Sequence, residues 1–85
     1  MKRPASYWNA LGMVLGAAGD LAEAEKAFRE ACGRDAANAE YAYNLGLALL
    51  RLGRGADAAP LFRKALELEP RFAPARARLA EIDRR

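Results

Sequence analysis

The side chains that commonly perform catalysis or hold metals are scarce in this sequence. The chain has a single cysteine, Cys32, and no histidine. The usual nucleophile–base pairs and zinc sites therefore cannot be assembled from it. Its carboxylates are scattered at helix-surface spacing, and Glu23, Glu25 and Asp57 are expected to be solvated charges near helix starts. We expect a protein that is not an enzyme and that uses no metal and no cofactor.

Cys32 cannot form a disulfide within one chain, because it has no second cysteine to pair with. Its position beside Ala31, near the end of a predicted helix, favours a half-buried structural thiol. The alternative is an exposed thiol that oxidises to an intermolecular disulfide.

The sequence repeats itself at one constant offset. The offset is thirty-four residues, and the positions that keep their residue type under this shift include Leu11 and Leu45, Gly12 and Gly46, Leu15 and Leu49, Gly19 and Gly53, Ala24 and Ala58, Phe28 and Phe62, Ala31 and Ala65. A fixed period of this length indicates stacked structural units rather than one globular core. No strand pattern competes with the helical one.

The repeated unit resembles the tetratricopeptide repeat, a helix–turn–helix of this same length with the pattern W-x2-L-G-x2-Y…A-x3-F…A…P. The first copy, at about residues 5–38, matches it with Trp8, Leu11, Gly12, Leu15, Ala24, Phe28 and Ala31. The second, at about residues 39–72, matches it with Ala42, Leu45, Gly46, Leu49, Ala58, Phe62, Ala65 and Pro70. Ala42 replaces the aromatic residue, leucines replace the tyrosine, and Ala36 takes the first proline position.

The resemblance implies an all-α fold, a right-handed α-solenoid of two helix hairpins and a C-terminal capping helix. These five helices would form a single domain over residues 1–85, with the capping helix at about residues 73–85. Periodicity and helix breakers predict the helices at about 4–18, 21–33, 39–52, 55–68 and from 73 onward. Pro60 predicts a slightly irregular start to the fourth helix.

Small residues are expected where the two helices of each hairpin cross. Gly12 with Ala24, and Gly46 with Ala58, would let the backbones approach. A glycine inside a helix costs about 1 kcal/mol relative to alanine, so its recurrence at one phase implies a packing reason. Phe28 and Phe62 would fill the space beyond each crossing.

In proteins that this chain resembles, the first helix of each unit lines a concave groove. By that resemblance the groove is lined by Asn9, Met13, Gly16, Tyr43, Asn44, Leu47, Arg51 and Arg78. Asn44 would hydrogen-bond a peptide backbone, and Arg51 or Arg78 would orient a carboxylate through a forked contact. Two interpretations of Tyr43 stay open, because it can face the groove beside Asn44 or pack into the neighbouring unit.

The resemblance implies a non-catalytic protein–protein interaction scaffold whose partner is a peptide with apolar and acidic side chains. The alternative is a self-assembly module that forms a weak homodimer through the first unit. Its first helix would carry Tyr7, Trp8 and Val14 at an end with no covering layer.

The charge and composition of the chain indicate which classes of partner are not expected. The net charge is +3, and acids are interleaved with the arginines. No contiguous basic surface for a nucleic acid is therefore expected. No apolar run approaches the ~20 residues that a membrane helix needs, so we expect no membrane partner and a cytoplasmic location. The abundance of arginine, alanine and glycine suggests a GC-rich bacterial source.

Overall fold

The computed structural model describes residues 2–84, most of which lie in five α-helices. These are α1 (Ala5–Ala17), α2 (Leu21–Arg34), α3 (Ala39–Arg51), α4 (Gly55–Leu68) and α5 (Ala73–Asp83). Helix α1 packs on α2 and α3 on α4, while α2 and α4 each also contact the next helix along the chain. The result is an elongated stack of 43 × 26 × 16 Å. The predicted all-α repeat solenoid is confirmed, and no strand occurs in the described residues.

Both hairpins turn in the same way. Gly19 and Gly53 have φ values of +88° and +79°, in the left-handed region that favours glycine. After α1, the backbone N–H of Asp20 donates to the carbonyl of Leu15 at 2.9 Å; after α3, the N–H of Arg54 donates to that of Leu49 at 2.9 Å. These bonds are typical of a Schellman cap, which satisfies carbonyls that a helix end leaves unpaired.

Inside each hairpin, a glycine makes room for a phenylalanine ring. A methyl group added to Gly12 would lie 2.6 Å from Phe28, and one added to Gly46 would lie 2.7 Å from Phe62. The three atoms nearest to such a methyl group at Gly12 all belong to Phe28, and Ala24, the predicted partner of Gly12, lies opposite Gly16, with its methyl 3.9 Å from where a side-chain carbon would be. The ring, rather than a second small residue, explains why glycine stands at this position.

The core follows the repeat positions. Ala24, Ala31, Ala58 and Ala65 are fully buried, whereas Trp8 and Leu11 are half-buried and Pro70 is exposed between α4 and α5. Because these buried side chains are small, the axes of neighbouring helices can lie close together.

The helix starts differ in one respect from expectation. Helix α4 is helical from Gly55 onward, so the irregular start that Pro60 suggested is not seen.

Helix α3 begins with a side-chain cap, since Asn38 accepts a hydrogen bond from the backbone N–H of Tyr41 at 3.1 Å. Helix α5 closes the second unit by burying Ala75 and packing Leu79 and Ile82 on the core.

Candidate functional site: a cleft between the first helices of the two units

An open cleft of about 260 Å³ lies between α1 and α3, and α2 forms its floor. Helix α1 contributes Gly12, Met13, Gly16 and Ala17, α3 contributes Asn44, Leu47, Ala48 and Arg51, and the floor is made by Leu21, Ala24 and Phe28. Most of these side chains are apolar, and Met13 is 56 % exposed at the rim. An apolar concavity with a few polar groups at fixed places is the usual form of a binding site.

The cleft exists because α1 has glycine at two of its lining positions. Gly12 and Gly16 are both buried and carry no side chain that could fill the space. At Gly16, an added methyl group would lie 3.8 Å from Nη1 of Arg51. The guanidinium of Arg51 thus reaches across the cleft from α3 towards the second half of α1.

Arg51 is the cation of the cleft. Among the described residues that line the cleft, Arg51 is the charged one, and no carboxylate of residues 2–84 is within salt-bridge distance of it. Arg51 is exposed, and its charge faces a site that is otherwise apolar. Such a guanidinium can take a carboxylate in a forked, charge-assisted contact.

At the other end of the cleft, two amides join α1 to α3. Nδ2 of Asn44 donates a hydrogen bond to Oδ1 of Asn9 at 2.8 Å. Nδ2 of Asn9 in turn lies 3.7 Å from the sulfur of Met13. Asn9 is only 8 % exposed, so it supports Asn44 from below instead of lining the open groove as predicted. The bond leaves the side-chain oxygen of Asn44 available to a ligand.

Tyr43, on α3, and Arg78, on α5, are not among the residues that line this cleft. The ring of Tyr43 packs against Phe62 and Phe72, with centroid distances of 5.6 and 5.3 Å. Arg78 binds Glu81 at 3.0 Å. Polar contact with Tyr43 and, second, with Glu81 raises the pKa of Arg78 above its ordinary value. Both rings that Tyr43 packs against belong to the unit that contains Tyr43, at about residues 39–72, so Tyr43 packs within its own unit and does not line this cleft beside Asn44.

The Asn9–Asn44 hydrogen bond and the Tyr43–Arg78 pair, in which Tyr43 raises the pKa of Arg78, occupy equivalent places in successive units. Tyr43 is the repeat equivalent of Asn9, and Arg78 is the repeat equivalent of Asn44. Each pair joins the first helix of one unit to the first helix of the next. We call them the inter-unit polar pairs. Sequence reasoning missed them because the two members of a pair are separated by one position more than the repeat, and because their residue types differ.

The floor of the cleft was also missed from the sequence. Leu21 and Phe28 belong to α2, the second helix of its unit, whereas the resemblance assigns the lining of the groove to first helices. Phe28 reaches the cleft because Gly12 admits its ring. Met13, Gly16, Asn44, Leu47 and Arg51 are therefore the predicted residues that the structure brings together.

Cys32 is not among the residues that line the cleft. Cys32 is half-buried, as favoured above. Burial raises the pKa of the Cys32 thiol, and the nearby charges of Lys64 and Arg29 oppose this only in part. Residues 2–84 contain no cluster of three or more His, Cys, Asp or Glu side chains placed to hold a metal ion. They also contain no helix long and apolar enough to span a bilayer.

Comparison with known proteins agrees with the repeat. A family model described as "Tetratricopeptide repeat" matches residues 9–77, which is most of the chain. A search of curated proteins finds no match.

Proposed function

Because the chain belongs to the tetratricopeptide repeat family, whose repeats generally mediate protein–protein interaction, we propose that it binds a peptide segment in the cleft between α1 and α3. Repeats of this family are typically non-catalytic interaction modules.

The observation that carries the proposal is the placement of Arg51 and Asn44 at the two ends of an apolar cleft. An apolar side chain of the peptide packs against Leu47, Met13 and the edge of Phe28 that lines the cleft. An acidic side chain pairs with Arg51, which has no carboxylate partner within residues 2–84. Asn44 accepts a hydrogen bond from a peptide N–H through its side-chain oxygen, since its Nδ2 is already engaged by Asn9.

Arg78 has no part in this proposal, because its guanidinium is engaged by Glu81 and Tyr43 beside α5. The cleft is short, so the peptide contact is small. Small interfaces belong to weak and transient complexes. We expect affinities in the micromolar range or weaker.

Selection of random peptides displayed on phage tests the proposal directly. The wild-type protein is the bait, and Leu47→Glu, which places a charge in the cleft, serves for counter-selection. We expect enriched sequences in which an apolar residue stands within one or two positions of Asp or Glu. Binding of the enriched peptide is then measured by fluorescence anisotropy.

Arg51→Ala should weaken that peptide about tenfold, the low end of what a hydrogen bond to a charged group contributes, because Arg51 is exposed. The matched control is Arg63→Ala, which removes an exposed arginine from α4, away from the cleft. Equal affinities for wild type and Arg51→Ala, or enrichment of peptides without acids, would contradict the assignment of the site.

A further inference from the structure

A second apolar surface lies on the opposite side of α1, at the outer face of the first unit. Helix α1 contains no charged residue, and Val14 on this face is 68 % exposed. Between α1 and α2 runs a groove of about 240 Å³ whose apolar lining includes Trp8, Leu11, Leu15 and Ala27. Val14 stands three residues after Leu11 and therefore lies on the same side of α1, at the edge of this groove. We call Val14 and this groove the end face. A helix that is apolar all round is normally covered on every side.

The second unit shows what happens to these positions when a neighbour is present. The equivalents of Leu11 and Val14 one repeat later are Leu45 and Ala48. Helix α2 packs against α3, and Leu45 and Ala48 are buried there, with Ala48 only 4 % exposed. Within residues 2–84, the same surface is thus an interface in the second unit and is partly or mostly exposed in the first.

We propose that the end face pairs with the end face of a second copy of this chain, around a two-fold axis. A second copy fits this surface because a projection, Val14, and a recess, the groove, stand side by side on it. Val14 of each copy can enter the groove of the other, so that both contacts are made at once, as an isologous interface requires.

Charge permits this self-pairing. The charged residues at the groove rim are neutralised within the chain: Glu23 pairs with Lys26 at 3.3 Å, and Glu30 pairs with Arg34 at 2.9 Å. The guanidinium of Arg34 also lies 5.5 Å from the Trp8 ring centroid. Helix α1 itself carries no charge along the part that contains Val14, and the cationic Arg3 lies at its N-terminal end, 4.4 Å from the Tyr7 ring centroid.

The pairing should be weak. Two helices about 20 Å long and about 10 Å apart present roughly 400 Å² per copy, about half of what a partner contributes to a stable complex. Dimers should therefore form only at high protein concentration. This surface is separate from the peptide cleft, so the present proposal does not depend on the proposed function.

Sedimentation equilibrium of the full chain over a wide concentration range is the test. We expect the apparent mass to rise from that of the 9.2 kDa chain towards twice that value and no further. Val14→Glu should keep the chain monomeric at every concentration with an unchanged circular dichroism spectrum, because Val14 is mostly exposed. Ala10→Glu, at another exposed position of α1 one turn earlier, should do the same.

Met13→Glu is the matched control. It places the same charge on the adjacent residue, which is also exposed but lines the peptide cleft. Met13→Glu should dimerise like wild type. A wild type that stays monomeric throughout, a mass that grows beyond the dimer, or equal effects of Val14→Glu and Met13→Glu would each overturn the proposal.

Discussion

Replacing Gly46 with alanine tests the packing that gives each hairpin its shape. The added methyl group would lie 2.7 Å from Cε1 of Phe62 and 3.0 Å from two further ring atoms. The ring has little room to move, because Phe62 is fully buried and Tyr43 stacks against it at 5.6 Å. Helix propensity acts in the opposite direction, since alanine is favoured over glycine by about 1 kcal/mol in a helix interior.

The balance favours the clash. Overpacking a well-filled core costs about 1–3 kcal/mol, and three contacts at or below 3.0 Å place this site at the upper end. The net loss in the free energy of unfolding is then about 2 kcal/mol after subtracting the propensity gain. For a domain of this size, such a loss lowers Tm by about 8–16 °C.

Thermal unfolding followed by circular dichroism measures the effect, and Gly33→Ala is the control. Gly33 lies in α2 with nothing within 4 Å of an added methyl group, so alanine there should raise Tm by a few degrees. Shortening the ring should relieve the clash. Phe62→Leu should therefore cost less in the Gly46→Ala background than in wild type, in a double-mutant cycle. If Gly46→Ala stabilises the protein as Gly33→Ala does, the ring is not fixed and the packing argument is wrong.

Two further predictions concern charge. Glu25 is mostly buried between Arg29, at 2.6 Å, and Arg54, at 3.3 Å. Glu25→Gln should therefore lower the free energy of unfolding by about 1 kcal/mol in dilute buffer and by less in 1 M salt. Urea titrations with and without salt measure this loss, and a loss independent of salt would contradict the prediction. Because burial raises the pKa of the Cys32 thiol in the folded state, stability should be intact below the unfolded pKa and fall as the pH rises through the folded value. Cys32→Ser should remove that part of the pH dependence in urea titrations between pH 7 and 10, and parallel curves for the two proteins would refute it.

The helices are well predicted from the sequence because the residues that indicate helix starts, turns and core positions occur in both units. The turn glycines, Gly19 and Gly53, and the small residues of the core recur at one offset, so each unit supports the interpretation of the other. Chance similarity rarely preserves both spacing and residue type. Every helix bound therefore falls within two residues of its prediction.

The candidate site is less predictable, because its geometry depends on contacts between units. Asn9 and Tyr43 share a repeat position, yet one is an amide bound to Asn44 and the other an aromatic ring packed on Phe72. A pattern that describes one unit contains no information on which side chain of the next unit will lie opposite. The peptide-binding role of the cleft residues stays a prediction.

The inter-unit polar pairs make the order of the units matter. If the first unit were duplicated in tandem, Asn9 would lie opposite Ala10 of the inserted copy, and a nearly buried amide would lose its partner. Duplication of the second unit would instead place Tyr43 of the original unit opposite Asn44 of the inserted copy, and these two side chains can hydrogen-bond. Lengthening of this array, in evolution or by design, should therefore proceed more readily from the second unit than from the first.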